Sequence, residues 1–170
     1  MELRFRRSTP PSTERSRVRR ATLSDVPTVV MLRLALLREY EHHPFYGPLR
    51  PDAEWRATEL YRGQLLAPDQ AIFLADRGGE SVGIIRCVET VASPLFTTAR
   101  YCYVSSAYVA PTHRRTGVLH ALLAEVERWA IDRGLGEIRL HNSASHADAI
   151  ATWDALGFHP VEQVRYKRLF

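Results

Sequence analysis

Nowhere in this 170-residue chain does an apolar run approach the roughly 20 residues needed to cross a bilayer. The opening stretch, Met1 to Ala21, is polar and arginine-rich where a secretory leader would carry an apolar segment. Neither a membrane span nor export is expected, and the chain reads as cytoplasmic. Cysteine is scarce. Cys87 and Cys102 read as reduced core thiols rather than a disulfide, although neighbouring strands could bring them close. Lysine is nearly absent: of 23 basic residues only Lys167 is lysine, a bias that fits GC-rich coding better than selection for phosphate recognition. No G-x-S-x-G nucleophile elbow is present, so a covalent hydrolase is not expected. His42-His43 with Glu39 and Glu41 lacks H-E-x-x-H spacing and any Cys partner; it reads as a solvated helix end, and no metal is expected.

The net charge of +4 suggests a nucleic-acid binder until it is mapped. Residues 1–20 hold seven Arg against Glu2 and Glu14, a balance of +5, which leaves the other 150 residues at −1. The basicity belongs to one end, and no helix-turn-helix, zinc-finger or RNA-binding signature accompanies it. Residues 1–16 are expected to be a disordered basic tail, with no nucleic-acid partner and no membrane partner. Residues 17–170 are one domain's worth of chain, with 45% hydrophobic residues overall.

The order of elements is legible from periodicity. A short strand starts at Arg17. Thr22-Leu23-Ser24-Asp25 offers caps for a helix through Tyr40, with Pro27 in its first turn. His42 to Pro51 is a loop, and Asp52 to Leu66 a second helix. Gln70–Ala75 and Ser81–Val88 form a hairpin around Gly78-Gly79, followed by a strand over 99–109. From Val118, the apolar positions Leu119, Leu122, Leu123, Val126, Trp129 and Ala130 mark one face of a long helix ended by Gly134. A strand over 136–140, a helix over 149–156 and a last strand over 161–169 complete an α/β domain around a mixed sheet.

Between the strand over 99–109 and the long helix lies the most informative segment, Val109-Ala110-Pro111-Thr112-His113-Arg114-Arg115-Thr116-Gly117-Val118. A helix start carries N–H groups without intrahelical partners and the positive end of the macrodipole. Gly117 removes the side chain that would keep a ligand off that backbone, and Arg114 and Arg115 add charge. Such a turn is suited to phosphate or pyrophosphate.

The segment resembles the acetyl-CoA pyrophosphate loop of the GCN5-related N-acetyltransferases, whose pattern is Arg or Gln, two residues, Gly, one residue, then Gly or Ala. Arg114 and Gly117 match, whereas Leu119 departs from the last position. Farther on, Ala149, Gly157 and Phe158 fall into register with the family's second signature, with His146 in place of its Asn and Trp153 in place of its Tyr. The resemblance covers about residues 17–169 and implies a single domain with a mixed, mostly antiparallel central sheet flanked by helices, its central strands splayed apart.

It further implies acetyl-CoA as co-substrate. Ala107, Tyr108 and Val109 would meet the pantetheine arm, and the backbone of Arg114, Arg115, Thr116, Gly117, Val118 and Leu119 the pyrophosphate. The acceptor would be an amine-bearing small molecule or peptide that attacks the thioester directly in a ternary complex, on a monomer or homodimer. The catalytic residues are open. Trp153 stands where the family's Tyr often protonates the thiolate, and an indole N–H does not release its proton at working pH. Ser105 and Ser106 stand where an acidic base is common. Tyr103 and His146 are substitute candidates, and Glu39, Tyr40, His42 and Tyr46 are candidates for amine contact. The rival expectation is a catalytically weak acyl-CoA sensor or interaction module.

Overall fold

Thr22 starts the first helical segment: its N–H and hydroxyl both donate to Asp25 Oδ2, at 2.8 and 3.0 Å. Arg19 clamps the same carboxylate from β1 (Arg17–Arg20). A 3-10 turn over Leu23–Asp25 then runs into α1 (Val26–Glu39), with proline in its first turn as the sequence predicts. The computed structural model of the chain describes residues 16–170. The arginine-rich segment before them, expected to be a disordered tail, lies outside the described residues.

After α2 (Ala53–Leu66) come β2 (Gln70–Arg77), β3 (Glu80–Val91) and β4 (Arg100–Val109). A second 3-10 turn, Pro111–His113, leads to α3 (Val118–Asp132), then β5 (Ile138–Leu140) and α4 (Ala147–Ala155). The strands lie in the order β1-β2-β3-β4-β5. All neighbours are antiparallel except β4 and β5, which are parallel. This is the expected mixed, mostly antiparallel α/β sheet.

Strand alternation splits the core between two faces. Phe73, Ile85, Cys87, Cys102 and Val104 face α3, where Leu122, Val126 and Trp129 cover them. Ile72, Leu74, Ile84 and Tyr108 face α1 and α2. At Gly83 a Cβ would lie 3.0 Å from Val118 Cγ1, so the missing side chain lets β3 take the start of α3 close against it. Cys87 and Cys102 are free and buried on neighbouring strands.

One expected element does not form. No strand is present over 161–169, and every residue from Val161 to Phe170 is exposed. The apolar residues there, Val161, Val164, Tyr166 and Leu169, are spaced by three, two and three, so no pairing register puts them on one face. The available edge, β5, is three residues long. No helix among the described residues is long and apolar enough to cross a membrane.

Candidate active site

β4 carries a bulge. Ile84 pairs with Tyr108 and Arg86 with Ser105, so Ser106 and Ala107 together oppose Ile85. Ser106 has φ 55°, a left-handed conformation that a non-glycine residue holds only under constraint, and it is buried. On its other edge β4 pairs with β5 only over Cys102–Val104. Past Val104 and Leu140 the ladder stops, so Ser105 to Val109 have no strand beside them on that edge. This is the splay expected of the fold, and a wedge-shaped cleft opens where the parallel strands part.

The turn after β4 closes one end of this cleft. Gly117 has φ 83° and caps α3; a Cβ there would meet no atom within 4 Å, so backbone conformation and not crowding demands glycine. Arg115 shares the left-handed region with φ 61°. The Ala121 N–H donates to Gly117 O at 3.0 Å, which is the first bond of the helix. The N–H groups of Arg115 to His120 have no acceptor among the described residues. This donor-rich turn at the positive end of a fifteen-residue helix fits an anionic diphosphate. Thr116 Oγ1 is tied to His113 O at 2.7 Å and accepts from Arg77 at 3.1 Å. The Arg114 side chain turns back from the loop: Nε donates to Val109 O at 2.9 Å and Nη2 to Glu39 at 2.5 Å, with the guanidinium over the Tyr108 ring.

Tyr103 stands at the point where the strands part. Its hydroxyl lies 3.1 Å from Nδ1 of His141, the first residue after β5. Burial pushes its phenol above the usual range; the Tyr46 and Tyr101 phenols add to this, and the guanidiniums of Arg86 and Arg33 oppose it. His146 caps α4 and stacks on Tyr40 with ring centroids 4.5 Å apart, joining the end of α1 to the opposite wall. Tyr46 stacks on His43 at 4.6 Å and meets Tyr40 edge-on. Burial likewise raises the Tyr40 phenol, with Glu39 and Tyr46 adding to the shift.

The expected site residues divide in this way. Ala107 to Val109 and Arg114 to Leu119 adjoin one another along the cleft. Tyr103 and His146 lie on its rim with Tyr40 and Tyr46. Trp153 does not bond to this group: it is half-buried, edge-on to Phe158 at 5.3 Å, and its indole N–H meets no acceptor among the described residues. His42 turns outward to Glu41, and no cluster of three metal-ligating side chains occurs among the described residues. Ser105 accepts from Arg86 at 3.1 Å, so it is engaged as an acceptor. Sequence reasoning missed His141, although its place directly after a strand beside the cleft is where ligand-facing residues collect. It also missed Arg33 and Arg86, which local patterns do not connect.

A splayed mixed sheet, a donor-rich turn leading into a long helix, and a polar aromatic rim beside them define an acetyltransferase domain. The chain belongs to the acetyltransferase (GNAT) family, whose model matches residues 34–158. It is 31% identical over 160 residues to an aminoglycoside N(6')-acetyltransferase type 1 of Stenotrophomonas maltophilia, covering 89% of this chain and 92% of that one. Among solved structures, a predicted acetyltransferase with acetyl-CoA from Clostridium acetobutylicum has the same fold, with a TM-score of 0.74 at 19% identity over 91% of this chain and 96% of the other. The aminoglycoside 6'-N-acetyltransferase AAC(6')-Ih of Acinetobacter baumannii also gives 0.74, at 20% identity over 90% and 97% of the two chains.

Proposed function

We infer that this acetyltransferase is a cytoplasmic enzyme that moves the acetyl group of acetyl-CoA to a primary amine on a small molecule, by direct attack within a ternary complex. The observation that carries this reading is the run of unpartnered N–H groups from Arg115 to His120, set beside a cleft that opens past Val104 and Leu140. In this reading the turn from Arg114 to Leu119 holds the diphosphate, and Ala107, Tyr108 and Val109 hold the pantetheine arm by backbone bonds at the bulged end of β4. Binding two substrates in one cleft makes the transfer effectively unimolecular. Tyr103, polarised by His141 and kept neutral by burial, is the proton donor to the departing thiolate. Trp153, packed on Phe158, is part of the wall.

Isothermal calorimetry with CoA and a free-thiol assay on an amine panel test the reading together. CoA should bind with a micromolar Kd, roughly −8 kcal/mol. Thiol release should depend on an added amine. CoA binding without thiol release on any amine would support the non-catalytic acyl-CoA module instead.

A further inference from the structure

On the α1 side of the sheet, beside Tyr103, stand two half-buried arginines with no ion-pair partner among the described residues. Arg86 comes from β3, opposite Ser105. Its Nε donates to Gln70 Oε1 at 2.8 Å and its Nη1 to Ser105 Oγ at 3.1 Å, both neutral oxygens. Nη2 meets no acceptor among the described residues. Arg33 comes from α1, which packs on β3 and β4. Helical spacing sets it on the sheet-facing stripe, one turn past the buried Val29 and Val30 and two turns before Tyr40. Its guanidinium makes no hydrogen bond or ion pair among the described residues.

Burial lowers the Arg86 guanidinium below its usual range; Arg33 adds to this, while Tyr61, Cys87 and Asp69 oppose it. An arginine keeps its charge regardless, so the direction marks a cation that its surroundings compensate incompletely. The carboxylates of this region are engaged or lie at the solvent edge. Glu39 is held by Arg114, Glu41 is exposed beside His42, and Asp148 is exposed on α4. Asp69, also exposed, acts on Arg86 through its charge, without an ion-pair contact. A compact anion entering here would meet guanidinium donors still free and would offset the repulsion between the two cations. Carboxylate matches the planar fork of arginine. Tyr103 and Ser105 share one face of β4 two residues apart, roughly 7 Å along the strand. A carboxylate bonded to Arg86 therefore leaves an amine one or two carbons away beside Tyr103, where the ladder with β5 ends.

We propose that the acceptor is an amino acid, its carboxylate held by Arg33 and Arg86 and its amine turned to the gap past Tyr103. This rests on the N-acetyltransferase reading above and names its substrate class. In the step, the nitrogen bonds the acetyl carbon as the C–S bond breaks. The amine's proton passes to water, and the thiolate takes one from Tyr103. An N-acetylamino acid and CoA leave.

The test is a thiol-release assay on the intact chain with saturating acetyl-CoA, on amine pairs that differ only in the carboxylate. Phenylalanine is set against phenethylamine, leucine against isoamylamine, and methionine against 3-(methylthio)propylamine. The amino acid should exceed its partner by about tenfold or more in kcat/KM. Arg33→Met, on a side chain that bonds nothing in the fold, should cut that preference to about threefold or less. Arg33→Lys, which keeps the charge without the fork, should fall between. Plain amines turned over as well as the amino acids overturn the proposal and leave N-acetyltransfer standing. So does an Arg33→Met variant that slows both members of each pair alike, since that marks a structural role. Acetyl-CoA bound with no amine turned over would overturn the N-acetyltransferase reading itself, and this proposal with it.

Discussion

Arg114 Nη2 lies 2.5 Å from Glu39 Oε1, so the turn proposed to hold the diphosphate is tied to the C-terminal end of α1 by residues 75 positions apart. Both side chains are partly exposed, which limits the pair's contribution to stability to about 0–1 kcal/mol. Its effect on ligand binding should be larger, because Glu39 places a negative charge next to the turn proposed to hold the diphosphate. Glu39→Gln should therefore tighten CoA binding about two- to fivefold while moving the melting temperature little. Calorimetry at low and high salt checks this; a gain that vanishes at high salt identifies the charge as its cause.

Gly117 is the residue on which the turn depends most. Gly117→Ala forces an L side chain to φ 83° and should cost about 1 kcal/mol of stability. Gly117→Glu adds bulk and charge where the phosphates are proposed to sit, and should weaken CoA binding about a hundredfold or more. Melting curves and calorimetry separate the two effects. Unchanged affinity in the glutamate variant would place the diphosphate elsewhere.

Tyr103→Phe removes the hydroxyl that meets His141 and keeps the ring. If the phenol protonates the leaving thiolate, kcat should fall about a hundredfold with the KM for acetyl-CoA nearly unchanged. Burial raises this phenol, so its protonated, donating form persists to higher pH than an ordinary tyrosine's. The alkaline limb of the wild-type pH–rate profile should accordingly lie above the usual tyrosine range, and Tyr103→Phe should lose that limb.

Acid stability should report on Asp25. The Arg19 guanidinium beside it, with the Thr22 N–H and hydroxyl, lowers its carboxyl to about 2, against an ordinary value of 3.8. Folding lowers this pKa, so the stabilisation is complete above the unfolded value. It is lost as pH falls from about 4 to 2. Asp25→Asn should melt lower than wild type at neutral pH and converge with it near pH 2, as thermal scans across that range would show.

The two cysteines should behave as core residues. The neighbouring Cys102 thiol together with burial pushes the Cys87 thiol up, and Cys87 Sγ donates to Ala71 O at 3.6 Å. Ellman's reagent should leave both untouched in the native protein and titrate both after denaturation.

What the chain reveals in advance follows its local patterns. Helix α3 was legible because six apolar residues repeat at helical spacing, and the turn before it because glycine and arginine sit beside a helix start. The hairpin was legible in Gly78-Gly79. The last strand was misread because Val161, Val164 and Tyr166 are β-forming types whose spacing breaks alternation, and a strand also needs a partner edge. The bulge at Ser106 gave no signal, since serine is no marker of positive φ. Tyr40 and Tyr46 could be named as acceptor contacts, but not their stacking on His146 and His43. Tyr40 and His146 come from distant elements that only the fold brings together.

The short ladder between β4 and β5 has a consequence for how this enzyme changes over time. β3 and β4 share eight paired positions, whereas β5 meets β4 at three, and α4 buries none of its residues fully. Amide hydrogens of residues 138–158 should exchange well before those of β3 and the first turns of α3, as a separate unit of lower stability. Drift in residues 138–158 should therefore leave intact the support of the turn proposed to hold the diphosphate. New specificities can be sampled on one side of the cleft while the other side keeps working.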